Sequence, residues 1–451
     1  MHPTRLLCFC LIAFFFMMRS NSVFGIDTKE WTWMVYINAD NNLNDFGITD
    51  QKDMAKVGSK NWLNLVTLLD RYDGASTTLN FIEKGNIKKL KEWPEMDTGD
   101  YKQLVEFVRE AVVLFPAKHY ALIIWNHGGG WKRSPTKSRW ISHDYTSNNR
   151  ITTEQLGLAA GEIKTLLGKN LDILAMDACF MQMLEVAYVL KNSCDYIVGS
   201  EEREPSKGYP YDRILLNIRA DMPASEMVQT IVGAYSASYS GGCQGKEEST
   251  QSGLKCAELP LVIDALNGFA KTVMTGSYSV QISQALKKVQ KFELGSNIDL
   301  LHLIMLLKEN VTDKTFLDSA SGLENALTKA IIANGTSGKT MQNAQGLAIF
   351  FPVSIGHFDQ TYHELAFSKE TSWDAMIQDF FQKELTLKIS SDLLSGDSSS
   401  LREYLALANK DTIPLTKNII SQLNFEFFSE KAKSSLPKDF DSLIHALIKK
   451  N

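Results

Sequence analysis

The chain has 451 residues, 44% of them hydrophobic and 22% charged, with a formal net charge of −5. This is globular material with ample apolar content for a sizeable core, so large-scale disorder is excluded, and the acidic balance offers no basic surface for a nucleic acid. Residues 1–25 stand apart, with Arg5 ahead of the apolar run 6–18 and Val23-Phe-Gly25 before a cut. That run is shorter than the roughly 20 apolar residues that span a bilayer, so it reads as a cleavable signal peptide ending at Gly25 and places the protein outside the cell or in its envelope. Cleavage there removes Arg5 and Arg19 and no acid, taking the charge from −5 to −7. Cys179, Cys194, Cys243 and Cys256 remain. The polar, turn-rich stretch 244–253 allows either a surface disulfide between the last two or two free thiols.

In chain order, apolar runs at 32–37, 63–69, 78–83, 120–125, 171–176 and 196–199 read as strands, several of them the two-sided kind that a buried parallel sheet requires. Between them come helical patterns. One spans 101–114 after Asp97-Thr-Gly-Asp100, and another runs from a capping box of Thr152 and Gln155 to about Leu167. The alternation predicts an α/β fold, a layered, mostly parallel sheet with helices on both faces. The segment 224–334 reads as largely helical, with amphipathic candidates at 261–274, 280–292, 298–309 and 316–332, before a late strand at 347–351. A linker is expected over 386–400, followed by a helical C-terminal extension over 401–451.

Two of the strand candidates lead directly into chemistry. The fourth leads into His127-Gly-Gly-Gly-Trp131 and the fifth into Cys179, 52 positions after His127. Carboxyl ends of parallel strands form the crevice of an open α/β sheet, so the imidazole and the thiol should project from one rim as a nucleophile and its base. A helix expected to begin near Met181 would favour the thiolate with its N-terminal dipole. The backbone N–H groups of Gly128 and Cys179 are candidates for an oxyanion hole. Asp177 lies two residues before Cys179, so strand alternation points both side chains the same way.

These residues also carry a resemblance. Trp33-Met-Val-Tyr-Ile-Asn-Ala-Asp-Asn-Asn-Leu43, Trp125-Asn-His-Gly-Gly-Gly-Trp131, Met176-Asp-Ala-Cys-Phe-Met181 and Gly346-Leu-Ala-Ile-Phe-Phe-Pro352 resemble, in order, the motifs of the clostripain family of cysteine peptidases, relatives of caspases, gingipains and legumain. The order His before Cys is the caspase one, not the papain one. The resemblance spans about 31–381 and implies a caspase-like core over about 30–220 within a peptidase region of 26–385. It implies an endopeptidase with His127 and Cys179 as its dyad, acting on peptides or proteins as a monomer. It also implies that Asp177 helps to select Arg or Lys before the scissile bond, and that Ser200, Glu201 and Glu202 belong to the substrate-pocket loop. Lys207 stands where the family often has an acid, Ser206 where it has Gly and Tyr209 where it has Trp, and a cation at 207 would oppose basic specificity if it faced the pocket. Self-cleavage between the two catalytic residues is implied too, with Arg150 the first choice and Lys137 and Arg139 the alternatives. No cofactor is required and no metal ligand is assigned; the resemblance leaves room for calcium, and the oxygen-rich 40–45 loop lacks the spacing of an EF-hand. The competing classes are a catalytically inactive binding module on the same fold and an acyl-transferring enzyme of the transpeptidase type.

Overall fold

The computed structural model describes residues 28–72, 74, 76–131, 141–394 and 399–400. The sheet grows from β1 (Lys29–Ala39), which is buried from Trp31 onward. Strand alternation sends Met34 and Tyr36 into one core and Trp33, Val35 and Ile37 into the other, so β1 is apolar on both sides. Parallel to it run β2 (Leu63–Arg71) on one flank and β5 (Ala117–Trp125) on the other. Beyond β5 lie β8 (Leu171–Asp177) and β9 (Cys194–Gly199), again parallel, with Trp125 opposite Asp177 at the ends of their strands.

These five strands point their carboxyl ends to one rim. Antiparallel strands complete the sheet, β3 (Thr77–Glu83) and β4 (Asn86–Trp93) beside β2, and β12 (Ser249–Lys255) and β14 (Ile331–Ser337) beside β9. The order is β14-β12-β9-β8-β5-β1-β2-β3-β4. Three two-stranded pairs stand apart: β6 (Ile141–Asp144) with β7 (Asn149–Ile151), β10 (Ser240–Gly242) with β11 (Gly245–Lys246), and β13 (Asn297–Asp299) with β15 (Ala348–Phe350).

One face of the sheet is covered by α1 (Asn44–Val57), α5 (Tyr211–Asn217) and α6 (Ala224–Tyr239). The other is covered by α2 (Tyr101–Leu114), α3 (Thr153–Leu167) and α4 (Leu184–Leu190). α3 begins with the expected capping box of Thr152 and Gln155. The second core continues into α7 (Leu259–Thr275), α8 (Ser279–Lys288), α9 (Leu300–Asn310) and α10 (Lys314–Ala330), then α11 (Ala366–Glu370) and α12 (Trp373–Leu394). Among the described residues no helix is long and apolar enough to cross a membrane.

Several expectations are corrected. The segment 224–334 is not simply helical, because it supplies β12 and β14 to the main sheet. β12 is polar in sequence, Ser-Thr-Gln-Ser-Gly-Leu-Lys, yet buried through Leu254, with hydrogen bonds such as Thr250 to Ser200 at 2.9 Å and Gln182 to Ser252 at 2.8 Å holding its hydroxyls. β14 begins at Ile331 and so takes the last two residues of the helical pattern expected over 316–332. Cys243 is exposed and Cys256 buried, and both are free thiols. The span 386–394 of the expected linker is the end of α12. The signal peptide and the 401–451 extension lie outside the described residues.

Candidate active site

The strand ends of β5 and β8 are tied together where the two candidate residues emerge. The N–H of Asn126 donates to the carbonyl of Asp177 at 3.3 Å. The Asn126 side chain donates to the carbonyls of Asn38 at 2.6 Å and His143 at 3.2 Å. His127 follows, with Nε2 2.7 Å from Oδ1 of Asn42, an oxygen that also accepts the Tyr145 hydroxyl at 2.9 Å. An amide oxygen only accepts, so this contact places the imidazole proton on Nε2 and the lone pair on Nδ1. Burial, and secondarily the charge of His143, hold the His127 pKa below the usual histidine value, which keeps the ring neutral and able to take a proton.

Cys179 does not start a helix. The chain leaves β8 through Ala178 and Cys179, turns sharply at Phe180 with φ 61°, and reaches α4 only at Leu184. The dipole argument is thereby removed, and other donors stand in for it. The N–H of Glu204 points at Sγ from 3.3 Å, and the backbone N–H groups of Gly128 and of Cys179 itself also favour the thiolate. Burial outweighs them and pushes the thiol up, so the resting pair is thiol and neutral imidazole. A side chain at Gly128 would strike the carbonyl oxygen of Cys179. That close approach explains the glycine.

His127, Asp177, Cys179, Arg203, Glu204 and Gly208 line one cleft on the rim. Its floor is acidic. Asp177 is buried, accepts the Tyr211 hydroxyl at 2.8 Å and the N–H of Tyr209 at 3.2 Å, and is hydrogen-bonded to Glu204, which Gln251 also contacts at 3.2 Å. Burial raises both carboxyls, Asp177 to about 6 and Glu204 well above the ordinary range, so the pair shares a proton. Asp50, bonded to the Trp125 indole at 2.8 Å, adds a third acid nearby. Gly208 adopts φ +54°, and a Cβ there would press on the Asp177 carboxylate.

The other predicted pocket residues sit elsewhere. Ser200 is buried against Thr250, and Glu201 is buried with Asp299 and the N–H of Gly346 at 3.1 Å. Glu202 accepts from the N–H groups of Arg203 and Glu293. None of the three lines the cleft. Lys207 points away, its ammonium on the carbonyl of Gln244 at 3.3 Å. The acid that sequence reasoning missed is Glu204, which stands in the same Glu/Lys-rich segment and was hidden by its charged neighbours. Asn42 was missed because it lay inside a motif read for calcium.

Arg150 lies in β7, paired across to β6, and Ile151 is fully buried opposite Ile141. A protease needs an extended, accessible segment, so cutting at Arg150 would require this hairpin to open. Lys137 and Arg139 lie outside the described residues. Beside the hairpin, Asp40, Asp70, Glu95 and Asp144 bring carboxylate oxygens within 4.8 Å of one another, and three of them are buried. Oδ2 of Asp40 and Oε1 of Glu95 are buried without a hydrogen-bond partner. Such an all-oxygen set fits a hard divalent cation, so the cluster could hold a metal ion.

Residues 35–380 match the model of the clostripain family. The chain belongs to the clostripain family of cysteine peptidases. Clostripain of Hathewaya histolytica is 34% identical over 226 residues, which are 43% of this chain and 43% of that protein, so the match spans less than half of that relative's length. The family fold is recognisable in two solved structures. One is a secreted C11 cysteine protease of Bacteroides thetaiotaomicron in complex with an irreversible peptide inhibitor, with a TM-score of 0.62 and 19% identity, covering 77% of this chain and 99% of that one. The other is an inactive zymogen C11 protease of Parabacteroides distasonis, with a TM-score of 0.60 and 20% identity, covering 76% of this chain and 98% of that one.

Proposed function

We propose that this clostripain-family chain is a secreted cysteine endopeptidase that cleaves after Lys or Arg and cuts itself during activation. The observation that carries the reading is one cleft lined by a thiol, an imidazole poised as a base and a buried acid pair. In this reading Nδ1 of His127 takes the thiol proton as Cys179 Sγ attacks the scissile carbonyl. The N–H groups of Gly128 and Cys179 receive the developing oxyanion. The imidazolium then protonates the leaving amine, and water, deprotonated by the same ring, hydrolyses the thioester. The substrate's ammonium or guanidinium sits against Asp177 and Glu204, displacing the proton they share.

The self-cleavage site is placed within 132–140, with Lys137 and Arg139 as candidates, because Arg150 is held in a paired strand. The Asp40, Asp70, Glu95 and Asp144 cluster is assigned to calcium. These residues would hold the ion by carboxylate oxygens, and it would supply charge that lets buried acids stand together beside the loops that position His127. The test combines three readouts: labelling of Cys179 by a thiol-reactive peptide ending in Lys, cleavage of Lys and Arg peptides, and gel analysis of the purified chain with N-terminal sequencing. Wild type should label, cleave and separate into two fragments, while Cys179→Ala and His127→Ala do not cleave. Labelling without cleavage of any peptide would favour the binding module, and amide products in the presence of a competing amine would favour acyl transfer.

A further inference from the structure

The acidic floor is one pole of the cleft, and a cation stands at its lip. Arg203 is the only Lys or Arg lining the cleft among the described residues. Its side chain is 69% exposed and pairs through Nε with Glu293 at 2.9 Å, itself 55% exposed. Neither residue is there by accident of a loose loop. Buried Glu202 accepts the N–H of Arg203 at 2.7 Å with one oxygen and the N–H of Glu293 at 2.9 Å with the other, so a single carboxylate fixes the two backbones side by side. An exposed ion pair contributes little to stability, and the close contact here is made through Nε. The Nη edge of Arg203 is left to meet a second anion, or to trade Glu293 for it, and the planar fork suits a carboxylate.

We propose that Arg203 is a specificity-determining residue that selects an acidic side chain on the peptide next to the residue held by Asp177 and Glu204. The inference rests on the peptidase reading. The preferred substrate then carries opposite charges side by side, a cation for the floor and an anion for the lip, and Glu293 serves as the stand-in anion when the cleft is empty. Glu202 is a positioning residue here.

The experiment uses the full chain and a peptide library with Lys or Arg fixed at the cleaved residue and Asp, Glu, Asn, Gln or Lys at each neighbouring position. Wild type should prefer Asp or Glu over Asn or Gln at one position by roughly two- to fivefold in kcat/KM, expressed in KM and weakened by added salt. Arg203→Ala should abolish that ratio and Arg203→Glu should reverse it towards Lys at the same position. Glu293→Gln should leave the preference in place and strengthen it, since the competing anion is gone. A wild-type enzyme indifferent to charge at every neighbouring position, or a ratio unchanged in Arg203→Ala, overturns the proposal. So does a uniform loss over all peptides in Arg203→Ala with a shifted pH profile of thiol alkylation, because Arg203 would then act on Cys179 and not on the substrate. A wild type that cleaves no member of the library would instead sink the peptidase reading itself.

Discussion

Asn42 Oδ1 and His127 Nε2 stand 2.7 Å apart, and the Tyr145 hydroxyl reaches the same oxygen at 2.9 Å. The amide therefore sets both the orientation of the imidazole and the nitrogen that keeps its lone pair. Asn42 comes from the loop after β1, Tyr145 from the turn after β6, so three segments converge on one ring.

Asn42→Ala should lower kcat by roughly tenfold or more while leaving the protein folded, since it removes the partner that selects the basic tautomer. Asn42→Asp gives a sharper readout. A carboxylate beside the ring raises the His127 pKa, which burial now holds low, so the rising limb of the kcat/KM profile should move to higher pH. An Asn42 that merely packs would leave that limb where it is.

Glu204 and Lys207 sit three residues apart, yet only Glu204 should control selectivity. Glu204→Gln and Asp177→Asn should each cut the preference for Lys or Arg over Gln at the cleaved residue by roughly tenfold or more, because each removes part of a buried countercharge. Lys207→Ala should change that preference by about twofold at most, its ammonium being turned to Gln244. Selectivity measured on matched peptide pairs decides between them, and a large effect at Lys207 would show that the loop rearranges when substrate binds.

Millimolar calcium should raise the melting temperature of the wild-type chain by several degrees over a chelator-treated sample, because an ion that binds only the folded cluster stabilises it by mass action. Asp40→Asn should lose most of that response, its Oδ2 being one of the two buried oxygens of the cluster without a partner. Calorimetric titration with calcium alone gives the stoichiometry, and a melting temperature indifferent to calcium in wild type would remove the assignment.

Much of this was legible in the sequence where periodicity and burial agree. β1, β2, β5 and β8 are apolar on both faces because both faces are covered, so their runs could not be mistaken, and His127 and Cys179 follow at their ends. β12 escaped because its buried residues are Ser, Thr and Gln, whose burial depends on hydrogen bonds from segments far along the chain. The helix expected at Met181 failed for a related reason. Met181 and Met183 are apolar because Gln182 and its neighbours run extended against β15 and β12, with Met183 bridging to Ala348, before α4 begins. The pocket loop was located, but Asp177, Glu201, Glu202 and Glu204 look alike in one dimension, and only packing distinguishes Glu201 and Glu202, which brace the loop, from Asp177 and Glu204, which face the cleft.

The strand order has a consequence for a chain cut between Trp131 and Ile141. Everything before the cut builds β4-β3-β2-β1-β5, and the part after it contributes β8-β9-β12-β14, so the break divides the sheet into two contiguous blocks without interleaving them. The seam between the blocks is the β5–β8 ladder, and the base rises from one side of it and the nucleophile from the other. A processed molecule would thus be a heterodimer in all but origin, whose activity reports whether its halves are docked: dilution, mild denaturant or a single substitution along Ala121–Trp125 could silence it by parting the seam while each block kept its own strands paired.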